Sequence, residues 1–192
     1  MGKIIVMLSM IIVMLLSLSS LGDDFEASGI AEITVENKAV DYQESNVEVQ
    51  VLLNTNPGIY SVDVFIDFSW LHGLDLIDIE EGLMSVSWSK DDEGAYVHLN
   101  NSLSEDTEET GVLFTMIFDI TDGIRSSVSY IVISTDAEKM NGSAVSSEDE
   151  DGCVVVMPVN RSCGVEGADL TWSFSADTRT LVISGTGEMK SS

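Results

Sequence analysis

Apolar and polar residues alternate along most of the chain after residue 30, with the period of two that is typical of half-buried β-strands. Val47 to Leu53 shows this most clearly, and Gly111 to Ile120 is a long, strongly apolar example. Turn clusters and acidic loops separate the alternating stretches, and none shows a sustained helical period. The pattern predicts about nine strands: Ala31–Val35, Val47–Leu53, Ile59–Phe68, Leu74–Ile79, Ser85–Ser89, Ala95–Leu99, Gly111–Ile120, Ser127–Ile133 and Cys153–Met157.

Many short strands at regular spacing are typical of β-sandwiches and β-barrels. We favour a sandwich, because the alternation continues over many strands and leaves one face of each sheet in water. Two further strands, Leu170–Phe174 and Thr180–Ser184, flank a turn and predict a C-terminal β-hairpin. A lone hairpin is only marginally stable, so we expect it to need a partner.

The N-terminus has the three parts of a secretory signal. A positive start at Lys3 precedes an apolar run from Ile4 to Leu16 and a small-residue region that ends at Gly22. We predict a signal peptide over residues 1–22, and an uncleaved anchor is the alternative. The run is short for a bilayer span, which needs about 20 residues. We therefore expect a secreted or cell-surface protein with no membrane insertion after signal cleavage.

The composition is strongly acidic. The chain contains 33 Asp and Glu residues but only 8 Lys and Arg residues, which gives a formal net charge of −25. Such a surface repels phosphate backbones, so no nucleic acid is expected as a partner. The acids lie between apolar positions throughout the chain, and this pattern favours a solvated acidic coat.

Cys153 and Cys163 are the only cysteines. Export would permit a disulfide between them, although spacing alone cannot fix the geometry. Two thiols that are not bonded to each other are the default expectation.

A polar strand face is the candidate binding site. Ser61, Asp63, Phe65 and Asp67 alternate with apolar residues, and Tyr96 and His98 are predicted to extend the same wet face. An aromatic ring beside hydrogen-bonding groups suits a protein partner or a sugar ring. An ordinary solvated face with one exposed Phe is the alternative.

No catalytic constellation is present in the sequence, so the protein is not expected to be an enzyme. Asp63 and Asp67 would lie about 13 Å apart on one strand at ~3.3 Å per residue, too far for a retaining glycosidase pair. The acidic run from Ser147 to Gly152 could hold calcium, but a solvated loop is the stronger expectation and no cofactor is predicted.

Two stretches resemble the cohesin family. Gly58 to Phe68 followed by Leu74 to Gly82 resembles the third strand and next segment of that family, and Gly111 to Phe118 is similar to its later core strand. The resemblance covers roughly Ala27 to Val159 and implies a nine-stranded antiparallel jelly-roll sandwich. The same fold occurs in a group of carbohydrate-binding modules.

In dockerin-binding cohesins an Asn and an Asp on the outer face of the third strand make polar contacts. Asp63 matches that Asp, whereas Ser61 at the Asn position does not. The family usually has Asp-Pro after this strand, and Ser69-Trp70-Leu71-His72 replaces it here. The resemblance implies a dockerin-bearing protein or a polysaccharide as partner.

The tail resembles the hairpin that introduces BspA-like leucine-rich repeats of bacterial surface proteins. Cys163-Gly164, Asp169 to Phe174 and Thr180 to Met189 carry that similarity. We divide the chain into a signal peptide (1–22), a cohesin-like β-sandwich (23–159), and a linker with a truncated hairpin (160–192). The expected function is non-catalytic binding in extracellular polysaccharide degradation. The alternative is a structural or adhesin segment of a leucine-rich-repeat surface protein.

Overall fold

The computed structural model describes residues 29–103, 105–158, 161–165, 169–176 and 178–189. These ranges contain β-strands and one short 3₁₀ helix, Phe68–Trp70, but no α-helix. The all-β prediction is therefore confirmed, while the predicted signal peptide lies outside the described residues. The strands are β1 (Ala31–Val35), β2 (Lys38–Asp41), β3 (Val47–Thr55), β4 (Ser61–Asp67), β5 (Leu74–Glu81), β6 (Ser85–Lys90), β7 (Gly94–Asn100), β8 (Gly111–Ile120), β9 (Ser127–Glu138), β10 (Ala144–Val145), β11 (Ser147–Glu150), β12 (Gly152–Met157), β13 (Asp169–Ser175) and β14 (Thr180–Thr186).

Two sheets form the predicted sandwich. One has the order β11-β1-β3-β8-β5, and the other has the order β2-β12-β9-β4-β7-β6, with β10 beside β9. Most neighbours are antiparallel, but β1 with β11 and β2 with β12 are parallel pairs. The jelly-roll sandwich is therefore confirmed, with two parallel pairs that the sequence did not reveal.

The period-two pattern determines which side chains enter the core. In β3, Val47, Val49, Val51 and Leu53 are buried, and the residues between them are partly or fully exposed. In β4, Val62, Val64 and Ile66 are fully or almost fully buried. Burying such aliphatic side chains contributes about 1.5–3 kcal/mol each, and the core joins the inner faces of both sheets.

Three strands, β2, β10 and β11, were not predicted, and β11 corrects an expectation. Ser147–Glu150, expected within a solvated loop, is β11, which pairs in parallel with β1. Its side chains are polar because an edge strand can be held by backbone hydrogen bonds without entering the core. β9 also continues beyond Ile133 to Glu138, where its inward positions are less apolar.

The predicted hairpin is confirmed as β13 and β14 in an antiparallel pair. The segment before it is tied to the edge of the sandwich by an ion pair between Arg161 and Asp41, with 2.6 Å from Nη2 to Oδ1. Leu170 and Ala176 are buried. An open apolar groove of ≈ 770 Å³ lies between the hairpin and the outer side of β9 and β12, lined among others by Val128, Tyr130, Val155, Trp172 and Phe174.

The two cysteines are not joined by a disulfide. Cys153 is buried on β12, and Cys163 is half-buried in the segment that leads to the hairpin. The default expectation for these residues agrees with the structure, and the disulfide alternative does not. In the part of the chain that the structure describes, no helix is long and apolar enough to cross a membrane.

Candidate binding face

The six predicted site residues lie on one surface. Ser61, Asp63, Phe65 and Asp67 are the outward residues of β4, and Tyr96 and His98 are outward residues of the neighbouring β7. Their strands are held together by backbone pairing, so their positions are fixed by the sheet and not by flexible loops. We call the outward surface of β9, β4, β7 and β6 the candidate face.

Strand register arranges the candidate face in rows that run across the sheet, because directly paired residues in an antiparallel ladder share one side. One row contains Asp136 of β9, Asp63 of β4, His98 of β7 and Ser87 of β6. The next row contains Ser134, Phe65, Tyr96 and Ser89 in the same strand order. The first row is charged and the second is centred on two aromatic rings.

Asp63 and His98 form the central polar contact. His98 Nδ1 lies 2.6 Å from Asp63 Oδ1, which is the distance of a short hydrogen bond. Both side chains stay open to solvent, with 71% of the Asp63 side chain and 50% of the His98 side chain exposed. Asp136 faces Asp63 from β9, so two carboxylates and one imidazole meet in this row.

Phe65 and Tyr96 form an aromatic pair with ring centroids 4.9 Å apart and planes tilted by 43°. The Phe65 ring covers Gly94, where an added Cβ would lie 2.5 Å from the ring edge. Phe65 is therefore half-buried, while Tyr96 remains 49% exposed. The pair offers an apolar contact area beside the charged row, in a shallow depression of ≈ 500 Å³.

Asp67 is at the end of β4 and has a local structural role. Its Oδ1 accepts a hydrogen bond from the Ser69 backbone N–H at 2.8 Å and caps the 3₁₀ helix Phe68–Trp70. The hydrogen bonds from the Ser69 backbone and side chain lower the pKa of Asp67 below its usual value of 3.8. This carboxylate therefore stabilises the turn that follows the face.

The sequence reasoning missed the contributions of β6 and β9. Ser87 and Ser89 line the depression from one side, and Ser134 and Asp136 line it from the other. A signal was available for the β9 residues, because the alternation from Ile131 and Ile133 continues to Ala137. The pairing of β4 with β9 had no such signal, since the strands are far apart in the chain.

The tryptophans differ from one another in burial. Trp70 is 52% exposed in the 3₁₀ helix. Trp88 packs against the core from β6, and Trp172 is half-buried beside the apolar groove. These three residues do not form one line of exposed rings.

The acidic run from Ser147 to Gly152, for which calcium was the weaker alternative, is engaged in the sheet. Asp149 accepts hydrogen bonds from the Thr135 backbone N–H at 2.9 Å and its hydroxyl at 2.7 Å. Asp151 accepts one from the Ile133 backbone N–H at 3.0 Å. Among the residues with a described placement, no group of three or more His, Cys, Asp or Glu side chains is arranged to hold a metal ion.

Comparison with known proteins gives no sequence match but a clear structural one. No family model matches the chain, and no curated protein matches it. A chain of the Coh-OlpA–Doc918 type I cohesin–dockerin complex from Clostridium thermocellum superposes with a TM-score of 0.59. It is 19% identical, and the match covers 67% of the present chain and 100% of that one.

Two other solved structures are similar to the same extent. A non-cellulosomal cohesin from the archaeon Archaeoglobus fulgidus has a TM-score of 0.58 at 15% identity, covering 67% of this chain and 92% of its own. The sixth cohesin of scaffoldin B from Acetivibrio cellulolyticus, in complex with the Cel5 dockerin, has a TM-score of 0.55 at 19% identity, with 67% and 99% covered. The sandwich of this protein therefore has the cohesin fold.

Proposed function

We propose that this protein is a secreted, non-catalytic binding module that holds a dockerin-bearing protein on the candidate face. The observation that carries the proposal is the Asp63–His98 pair, which lies on the two central strands of a four-stranded surface. Solved structures with the same fold include cohesins in complex with dockerins. Resemblance also assigns Asp63 to the Asp that contacts dockerin in binding members of the cohesin family.

The chemistry of the candidate face suits a protein partner with basic and apolar groups. Asp63, Asp136 and Glu138 point outward near one another, and the His98 imidazole lies beside Asp63. Such a surface attracts Lys and Arg side chains and accelerates their approach. The Phe65–Tyr96 pair adds an aromatic contact, and aromatic residues are enriched where interfaces are well buried.

Isothermal titration with calcium-loaded type I dockerins tests the proposal directly. We expect saturable binding that a calcium chelator abolishes, because the chelator unloads the dockerin. The variant Asp63→Ala should weaken binding by about tenfold or more, since a hydrogen-bonded charge pair at an interface is worth ~1.4 kcal/mol or more.

Glu48→Ala is the matched control for this experiment. Glu48 is exposed on β3, which belongs to the other sheet, so the variant removes a carboxylate without touching the candidate face. We expect it to bind with unchanged affinity. Equal weakening by both variants would show a general effect of charge, and a complete lack of binding across a dockerin panel would reject the proposal.

A polysaccharide is the second candidate ligand, and the exposed Tyr96 ring beside Phe65 favours it. Sugar rings stack on aromatic faces while their hydroxyls bond to neighbouring polar side chains. Titration with soluble plant polysaccharides, using Tyr96→Ala as the variant, distinguishes this ligand from a dockerin. Loss of polysaccharide binding in this variant, with no response to dockerins, would support it.

Export and the tail complete the proposal. We propose that residues 1–22 direct secretion and that the hairpin precedes a leucine-rich-repeat region of a surface protein, as its resemblance to BspA-like proteins suggests. Mass spectrometry of the exported chain would test the first part, with a new N-terminus at Asp23 as the expected result.

A further inference from the structure

One edge of β14 is unpaired among the residues that the structure describes. All seven residues of Thr180–Thr186 are exposed, and within the described part of the chain the hairpin is a two-stranded sheet with β13 as the only neighbour of β14. Leu181, Val182 and Ile183 are 58%, 50% and 44% exposed. An exposed apolar edge strand is a template for pairing with another strand.

The hydrogen bonds of β13 show which groups β14 presents at this edge. The Leu170 carbonyl accepts a hydrogen bond from the Cys163 N–H, and the Trp172 N–H donates one to the Arg161 carbonyl. The backbone N–H and C=O groups of Leu170 and Trp172 are therefore directed away from β14. Their cross-strand partners are Gly185 and Ile183. Directly opposite residues in an antiparallel ladder direct their backbone N–H and C=O groups either toward each other or away from each other. Because the backbone groups of Leu170 and Trp172 are directed away from β14, those of Gly185 and Ile183 are directed outward as well, and alternation adds Leu181.

The edge also lacks the usual protection against pairing. Natural edges are blunted by charged residues, proline or bulges. The segment Thr180–Thr186 contains no charged residue and no proline, and it pairs with β13 without a register shift.

Charge is distributed unevenly over the molecule. Residues 160–192 contain three basic and four acidic residues, so this segment is close to neutral, and the other 29 acidic residues precede it. Two copies that meet through the acidic sandwich would repel each other strongly. Two copies that meet through the hairpin would bring their nearly neutral segments into contact.

We propose that β14 pairs with β14 of a second copy of this chain in an antiparallel, two-fold symmetric contact. A register centred on Ile183 pairs Ile183 with its copy and Leu181 with Gly185, so every outward backbone group of the strand gains a partner. Each hydrogen-bonded pair exchanges two hydrogen bonds. An interface with one strand from each copy is small, so the dimer is weak and depends on concentration. It would present two candidate faces in one assembly.

Sedimentation of the full chain, exported so that any leader is processed, tests the proposal from micromolar to millimolar concentration. We expect a monomer–dimer equilibrium that shifts toward the dimer at high salt, since salt screens the repulsion between the acidic sandwiches. A contact driven by ion pairs would show the opposite salt dependence. A monomer at every concentration and salt level would overturn the proposal and leave the edge to a strand of the proposed repeat region or of a different protein.

Val182→Lys is the disrupting variant. Val182 lies on the hairpin side that carries Ser173, away from the apolar groove, so the fold should tolerate the change. In the dimer the two introduced ammonium groups lie close to the symmetry axis and repel each other, and we expect a dissociation constant raised by about tenfold or more.

Ser173→Lys is the matched control. Ser173 is exposed and is the cross-strand partner of Val182, but it lies on β13, so it adds the same charge to the same hairpin side one strand away from the edge. We expect it to dimerise nearly as the parent chain does. Equal loss in both variants, or no loss in Val182→Lys, would contradict pairing through β14. Circular dichroism of each variant establishes that the fold is retained.

Discussion

At the scale of single residues, two aspartates on the same strand have different environments. Asp63 is largely exposed and contacts the His98 imidazole across the sheet. Asp67 is only four positions later, but its carboxylate caps the next turn through Ser69. Both residues carry the same charge and point to the same side, so the difference comes from what the chain does immediately after β4. Asp67 therefore stabilises the turn, and the partner contact proposed above involves Asp63.

Asp67 gives a prediction about acid. Because its pKa is lowered in the folded state, its stabilising effect is present above the unfolded value of 3.8 and is lost as the pH falls through the lower folded value. We expect an NMR titration of the wild-type side chain to give a midpoint below 3.8.

Asp67→Asn is the matched control for that prediction, since its amide oxygen can still accept the Ser69 N–H but does not ionise in this range. The stability difference between wild type and variant should therefore shrink as the pH is lowered through the folded value. A midpoint at or above 3.8, or a difference that does not change with pH, would exclude the capping interaction as the cause.

At the scale of elements, each central strand has an inner side that stabilises the fold and an outer side that is available for function. β8 places Phe114 and Phe118 in the core with no exposed surface. β4 places Val62 and Ile66 in the same core but Phe65 on the candidate face. The side of the sheet, and not the residue type, therefore determines what a phenylalanine contributes.

Paired Phe→Ala variants test this distinction. Phe114→Ala should lower the free energy of unfolding by ~3–5 kcal/mol, because it empties a closed core position. Phe65→Ala should cost only about 1–2 kcal/mol, since it loses the tilted contact with Tyr96 and part of its own burial. Urea denaturation of both variants measures the two values. A larger loss for Phe65→Ala would reverse our assignment of the strand faces.

At the scale of the whole molecule, acidic charge dominates. Ion pairs such as Lys90–Asp75, at 3.0 Å, lie on the surface, where one pair contributes at most about 1 kcal/mol. Even if every basic residue paired with a carboxylate, the net charge of −25 would remain. The folded chain therefore bears the mutual repulsion of carboxylates on a compact surface.

Salt should stabilise the folded chain for this reason. We expect the melting temperature in sodium chloride to rise from low to physiological ionic strength, where the Debye length shortens to about 8 Å. Calorimetry at a protein concentration too low for dimerisation separates this effect from self-association. A melting temperature that falls with added salt would show that attractive pairs outweigh the repulsion.

The alternation of apolar and polar residues was sufficient to predict the sandwich, most of its strands, the hairpin and the outward direction of the six site residues. This succeeded because period-two burial is a local property of each strand. The pairing of strands distant in the chain had no local signal, so Asp136 and Ser87 joined the candidate face only in the tertiary structure. Within the described residues, the parallel pairing of β11 and the unpaired edge of β14 likewise depend on which backbone groups meet a neighbouring strand, and the side-chain pattern carries no information on this.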